Sequence, residues 1–303
     1  MKKQTIKWLL FHEPAELFIR TAEHFSEEIN KLSSTGFEIE ILKLEDYNEK
    51  YNNGEACDPI AEMRAGKVQM SQLYANSLAG SGAGDFTALS LPFLFRSHDH
   101  ATKVFESEVG SQLLQHLQDK VGVKGLCFTY SGGYRMLASD TPVKCIEELK
   151  GLSYRENDTA LWSDLFNTLG MTPTIGEPNI TQTTYPRYEA EARAHQKYIA
   201  DTGHSMYLTT IMANEEFWND LSVEDQLHFK TAAQICARAE RTKSVDDAET
   251  IKTDKGVQSE LGISQIFDFD DAESNKLEQA LESVSKKWEK FFTTGLVDKI
   301  RKI

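Results

Sequence analysis

A wound α/β fold is predicted by three features of this sequence. Short β-rich runs alternate with amphipathic stretches from the first residues onward, the pattern of strands feeding helices that pack back on a sheet. The 303 residues, 40% of them hydrophobic, suffice for two cores of ordinary size or one large core. No low-complexity linker or internal repeat divides the chain, so two lobes would be hinged through crossing strands and a shared helix instead of a loose tether.

The elements follow in order. Residues 5–11 form a first β-rich run. Pro14 favours a helix start, and Leu17, Phe18, Phe25, Ile29 and Leu32 recur at helical spacing until Gly36. Phe37, Ile39 and Ile41 alternate with charged residues as a second strand; a short helix closes at Met63 and Gly66, and residues 68–73 alternate again, giving βαβαβ. Two helical stretches, about 98–105 and 111–117, precede a long β-rich run at 121–130 that predicts a strand crossing out of the first domain. A second unit then reads as a strand at 134–137, a turn at Thr141 and Pro142, a short helix to Leu149 and a strand at 152–155. Leu161, Trp162, Leu165, Phe166 and Leu169 then form a helical stripe ending at Gly170, core apart from Trp162. A strand at 207–212, a helix opened by the Ser222/Asp225 capping box and running to about Lys255, a strand at 263–269 and a final helix through Leu277, Leu281, Val284, Trp288 and Phe291 complete the chain. This divides it into 1–124 with about 206–248, and 125–205 with about 249–303.

Composition excludes several function classes. With 47 acidic and 33 basic side chains the net charge is -14, which repels nucleic acid and anionic lipid. It does not exclude an anionic ligand, because one guanidinium in a low-dielectric cleft outweighs distant screened carboxylates. The longest apolar runs fall far short of a membrane span, and the stretch from Ile6 to Phe11, interrupted by Lys7, reads as a strand and not a signal segment. Four scattered cysteines without a CxxC pair suggest neither a zinc ribbon nor a disulfide framework.

The motifs for catalysis are weak. Gly80, Gly82 and Gly84 lack GxGxxG spacing and a P-loop lysine, and read as a flexible loop. His98, Asp99 and His100 are adjacent at a helix start, where capping by Ser97 or Asp99 outweighs a shared metal ion. Neither GxSxG nor HExxH occurs, so no catalytic residue, metal or cofactor is assigned. More informative are Arg135, opening a strand after Ser131-Gly132-Gly133, and Arg155, ending one after Lys150-Gly151. Arginines at strand ends of an α/β lobe face the crevice where ligands bind, and the planar fork matches a carboxylate.

At these residues the chain resembles the DctP-type solute-binding subunits of TRAP transporters. The matching stretches are Leu91-Pro-Phe-Leu-Phe95 with His100-Ala101; Gly133-x-Arg135 with Thr141-Pro-Val143; Glu148-Leu-Lys-Gly151 leading to Tyr154-Arg155; Leu169-Gly170-x-x-Pro173; Gln196-Lys-Tyr198 with Thr202-Gly-His204; and Asn214-x-x-Phe-Trp218 with Leu221. Their order spans almost the whole chain. The resemblance implies a two-lobed periplasmic-binding-protein fold, its lobes joined by crossing strands and a shared long helix. It also implies a small organic acid as ligand and a sodium-coupled membrane partner, the TRAP membrane subunits, with this chain exported, not inserted in the membrane, and present here in mature form.

By the same resemblance the signature carboxylate-pairing arginine falls on Arg155 and the preceding one on Arg135. Tyr74 and Asn76 match first-lobe pocket side chains, and His12 with Glu13 the loop after the first strand. Asp158 stands where many members carry an uncharged polar residue, a place for a ligand hydroxyl or ammonium. Asn179, Trp162 and Tyr207 complete the candidate contacts. One departure from the family is expected: Gly176 runs directly into Glu177 where members carry a helix and a strand, so part of the second sheet and of its pocket wall would be missing. Two competing readings follow. One is a soluble α/β enzyme acting on an organic acid, with Arg155 as anchor and His204 or His12 as base. The other is a receptor presenting its closed form to a membrane sensor.

Overall fold

The structure, a computed structural model, describes residues 4–12, 14–34, 36–155 and 159–303. Ten strands are described: β1 (Gln4–Leu10), β2 (Phe37–Lys43), β3 (Met70–Tyr74), β4 (Val123–Ser139), β5 (Ser153–Arg155), β6 (Thr172–Thr174), β7 (Ile180–Thr184), β8 (Tyr198–Asp201), β9 (Met206–Asn214) and β10 (Gln265–Asp268). The chain folds as two compact units. Met1–Phe86, Thr102–Tyr130 and Leu208–Lys243 make the first; Thr87–Ala101, Ser131–Tyr207 and Ser244–Ile303 make the second. Residues 87–101 therefore fall in the second unit, where the sequence had placed them in the first. Strands β4 and β9 and the helix Val223–Thr253 each contribute residues to both units.

In the first unit β1 lies parallel to β2 on one side and to β3 on the other, and β3 is antiparallel to β9, with Gln72 opposite Ile211. The helix Glu16–Leu32 buries Phe18, Ala22, Phe25 and Ile29, the one-sided stripe that a 3.6-residue period dictates, against Ile6, Trp8 and Leu10 of β1. The helix Val223–Thr253 adds Phe229, Ala232, Ala233 and Cys236 to that core, and the Phe229 ring meets Phe37 edge-on at 4.8 Å and Phe25 at 5.5 Å. The carboxyl ends of β1 and β3 lie at the same edge of this sheet, so the residues following them, His12 and Tyr74, are brought together.

In the second unit the strand order is β6-β5-β7-β4-β8-β10. β7 and β8 flank β4 antiparallel, with Arg135 opposite Thr184 and Leu137 opposite Ala200. Met136, Ala138, Tyr185, Tyr188, Ile199 and Ile263 form a core there. The helix Ala160–Thr168 buries Leu161, Trp162, Leu165 and Phe166.

Several elements depart from expectation for physical reasons. The break expected at Ser131-Gly132-Gly133 does not occur: β4 runs unbroken, carrying the two glycines at φ +90° and +81°, where a side chain would be strained. The long helix stops at Thr253 because Asp254 caps a separate helix, Lys255–Leu261, accepting from the amides of Gly256 and Val257. The final helix likewise ends at Glu289, before Phe291, and a further helix spans Leu296–Lys302.

β6, β7 and β8 were not anticipated. β7 begins beside Tyr154 of β5 and continues beyond that strand's end, so residues 175–179 join β6 to β7 across β5 without the dozen-residue crossover that parallel neighbours otherwise need. β7 lies between β4 and β5.

Candidate functional site

In the second unit the elements converge on Arg135. Its backbone N–H donates to the Ser205 carbonyl at 2.8 Å, and its side chain is buried, with 3% exposure. The guanidinium lies 4.0 Å from the ring centre of Tyr207 and 5.3 Å from that of Trp162. Aromatic faces carry negative electrostatic potential, so these rings hold the cation in a fixed place. Trp162 is thus both core and site wall: it also stacks on Phe166 and meets His204 edge-on at 6.1 Å.

A second guanidinium, that of Arg187, lies 4.4 Å from the Tyr207 ring centre. Its charge is held by Glu191, at 2.9 Å from Nε and 2.5 Å from Nη2, and its Nη1 donates to Ser131 Oγ at 2.7 Å. Sequence reasoning missed Arg187 because it missed β7. The run Ile180-Thr-Gln-Thr-Thr184 is rich in β-branched residues, and that was the signal available.

His204 closes the cluster. Thr202 Oγ1 lies 2.7 Å from its Nδ1 and Gln182 Oε1 lies 2.7 Å from its Nε2; with the amide oxygen accepting, Nε2 carries the proton and the threonine hydroxyl donates to Nδ1. Burial, and then the nearby Arg135 charge, push the imidazole down to about 3 from an ordinary 6.5. The sign of the pH dependence follows. The unfolded chain takes up this proton below about 6.5 and the folded one does not until about 3, so stability falls as pH falls through that window. Between pH 7.5 and 5.5, wild-type unfolding free energy should drop by about 1.4 kcal/mol more than that of His204→Gln in parallel urea titrations. Equal slopes would show that His204 is not held neutral. An imidazole with both nitrogens bonded and so low a proton affinity is no general base at neutral pH.

Arg155 is placed differently. It ends β5 with a side chain 65% exposed, and Glu177 Oε1 stands 3.9 Å from Nη2, beyond hydrogen-bond reach. The other oxygen of Glu177 is 3.4 Å from Nε2 of His195. Asn179 is committed to the fold: its Oδ1 accepts from the amide and the hydroxyl of Ser153, both at 2.9 Å, and its Nδ2 donates to Asp140 at 2.8 Å. It staples β5 to the end of β4, leaving its amide little capacity for a ligand.

In the first unit His12 and Tyr74 meet at the carboxyl ends of β1 and β3, and Asn76 follows in the helix after β3. His12 Nε2 accepts the Tyr74 backbone N–H at 2.9 Å, and its ring lies 5.7 Å from Phe18. Tyr74 is half-buried ahead of the helix Ala75–Gly80, and Asn76 is buried. Glu13 and Asp158 lie outside the described residues. Among the described residues no cluster of His, Cys, Asp or Glu is arranged to hold a metal ion, and no helix is long and apolar enough to cross a membrane.

Comparison with known proteins places this geometry. Residues 12–177 and 183–291 match the family described as bacterial extracellular solute-binding protein, family 7 (DctP). The interruption follows directly on Gly176-Glu177, where the chain was expected to be short relative to the family. The 2,3-diketo-L-gulonate-binding periplasmic protein YiaO of Escherichia coli is 27% identical over 230 residues, which cover 72% of this chain and 69% of that one. Among solved structures, a TRAP periplasmic solute-binding protein from Ochrobactrum anthropi superposes with a TM-score of 0.84 at 23% identity, over 99% of this chain and 94% of that one. Another, from Pseudomonas putida with bound D-glucuronate, gives 0.81 at 19% identity, over 99% and 97%. These are two-lobed proteins, and the fold is theirs. With the family match spanning nearly all of the sequence, the chain belongs to family 7 of the bacterial extracellular solute-binding proteins, the DctP family, and is a solute-binding protein and not an enzyme.

Proposed function

We propose that this protein captures a small organic acid outside the cytoplasm by its carboxylate and delivers it to the membrane subunits of a TRAP transporter. The observation that carries the reading is Arg155. Its guanidinium stands at the carboxyl end of a strand, largely hydrated, with a carboxylate neighbour 3.9 Å away that makes no fork-to-fork contact. An incoming carboxylate can accept two parallel N–H bonds there at little cost to the free protein. Arg135 adds a second, buried positive charge fixed by Tyr207 and Trp162. The names of the relatives support the ligand class: one binds a keto sugar acid and one holds a uronate.

The test is a thermal-shift screen of sugar acids, dicarboxylates and hydroxy acids against their amides. A ligand at a hundred times its Kd adds about 2.7 kcal/mol to the native state, which raises the melting temperature by several degrees. Stabilisation by at least one acid and by none of the amides is expected. A neutral compound that stabilises while every acid fails would refute carboxylate recognition.

A further inference from the structure

The first unit contains a cavity of about 540 Å³ that the organic-acid reading does not use. It opens between the helices Glu108–Val121 and Val223–Thr253, beside the first residues of β4. Phe105, Phe128 and Trp218 line it, the two phenylalanine rings 5.3 Å apart. Four cations surround that aromatic surface: Lys124, Lys230, Arg238 and Arg241.

One carboxylate, Glu106, lines the cavity with them, and it is already shared. Arg238 grips both its oxygens at 2.8 Å, and Arg241 Nη2 reaches Oε1 at 2.8 Å. Lys124 Nζ donates to the neutral amide of Gln118 at 3.0 Å. Asp119 and Glu215 stand near Lys124, but each accepts from a glutamine, Gln115 at 3.0 Å and Gln118 at 2.9 Å. Lys230 is exposed and has no ion-pair partner among the described residues. Burial, and then repulsion from Lys230, hold the Lys124 ammonium below the ordinary lysine value in spite of those two acids. In a chain of net charge -14 the four cations here outnumber the three neighbouring carboxylates by one. A merely solvated cationic face requires neither a concavity nor an aromatic lining, and here both are present. The volume lies within the range of small-molecule sites, roughly 300–1,000 Å³.

We propose that this cavity is a second ligand site, in the first unit and independent of Arg155 and Arg135, for an organic anion that carries two or three negative charges on a flat apolar body. The charges would be met by Lys124 and Lys230, since Glu106 and the Phe128 carbonyl already engage the arginine pair, and the body would lie against the accessible edges of Trp218 and Phe105. Such a ligand also relieves the repulsion between Lys124 and Lys230.

The probe is benzene-1,3,5-tricarboxylate, titrated calorimetrically into the full chain at fixed ionic strength, with inorganic phosphate as the anion that lacks an apolar body. Wild-type protein should bind the tricarboxylate. Lys124→Gln and Lys230→Gln should each weaken it about tenfold, as should exchanging the probe for phosphate, while Arg155→Ala leaves it unchanged. Lys230 is on the surface, so Lys230→Gln keeps the fold and decides the matter even if Lys124→Gln does not fold. Absence of tricarboxylate binding, undiminished binding by Lys230→Gln, loss of binding with Arg155→Ala, or phosphate binding as tightly as the tricarboxylate would each overturn the proposal. None of these results depends on whether the organic-acid reading is right, since that reading rests on the second unit's arginines.

Discussion

Arg155→Ala is expected to weaken binding of the organic acid by roughly tenfold to 150-fold, because hydrogen bonds to a charged group contribute about 1.5–3 kcal/mol. The ligand-free protein should melt within about 2 °C of wild type, since changes at exposed positions usually stay within about 0.5 kcal/mol. The two results together are diagnostic. In the free protein the guanidinium is 65% exposed and its ionic neighbour is 3.9 Å away, so there is little native structure to lose. Arg155→Lys should fall between wild type and Ala, because an ammonium keeps the charge but not the planar fork. Calorimetric titration of the acid identified in the thermal screen reads the first number, and calorimetric melting the second. Full affinity in Arg155→Ala would remove this residue from the site. Arg135 offers no comparably clean experiment: it is buried against Tyr207 and Trp162, and truncating it would lower stability and affinity together.

The contrast between these arginines also marks what the sequence could disclose. Strand-end placement and the ordered motifs singled out both residues, and the helical stripe Phe18, Phe25, Ile29 and the β-rich run of β4 were legible because burial on one face imposes a period on composition. Periodicity carries no information on what surrounds a charged side chain. Arg187 comes beside Tyr207 only because β7 pairs with β4, a contact between residues about 50 apart in the chain, and β7 is a five-residue strand made mostly of threonines. Asn179 is a ligand-contact candidate by its place in a motif, yet its amide oxygen is taken by Ser153 and one of its N–H groups by Asp140, which only a three-dimensional account of its donors and acceptors reveals. The Gly132-Gly133 pair predicts an interruption of the strand, since glycine weakens a strand interior.

That pair supplies the largest stability effect expected in the second unit. At Gly132 φ is +90°, and an added Cβ would fall 2.1 Å from Thr184 Oγ1, 2.8 Å from Thr184 Cβ and 3.1 Å from Pro186 Cδ. Thr184 cannot turn away freely. It is fully buried, and its hydroxyl donates to the Ser131 carbonyl at 3.1 Å. Gly132→Ala therefore combines a left-handed backbone strain of about 1–3 kcal/mol with an overpacking cost of about 1–3 kcal/mol, on the order of 3–5 kcal/mol in all. At roughly 2–4 °C per kcal/mol the melting temperature should fall by about 6–20 °C. Gly133→Ala shares the strain, at φ +81°, but its Cβ meets only His98 Cε1 at 3.3 Å, so it should cost about half as much. Adding Thr184→Ala to Gly132→Ala removes the 2.1 Å overlap and should recover about 1 kcal/mol relative to additivity, leaving the 2.8 Å approach to the residue-184 Cβ and the φ strain in place. Because Thr184 sits opposite Arg135, the displacement that accommodates the new methyl group should also move that guanidinium and weaken ligand binding. Equal melting temperatures for the Gly132 and Gly133 variants would mean that β7 is not packed against β4 as described, and the geometry of the buried arginine would have to be reconsidered with it.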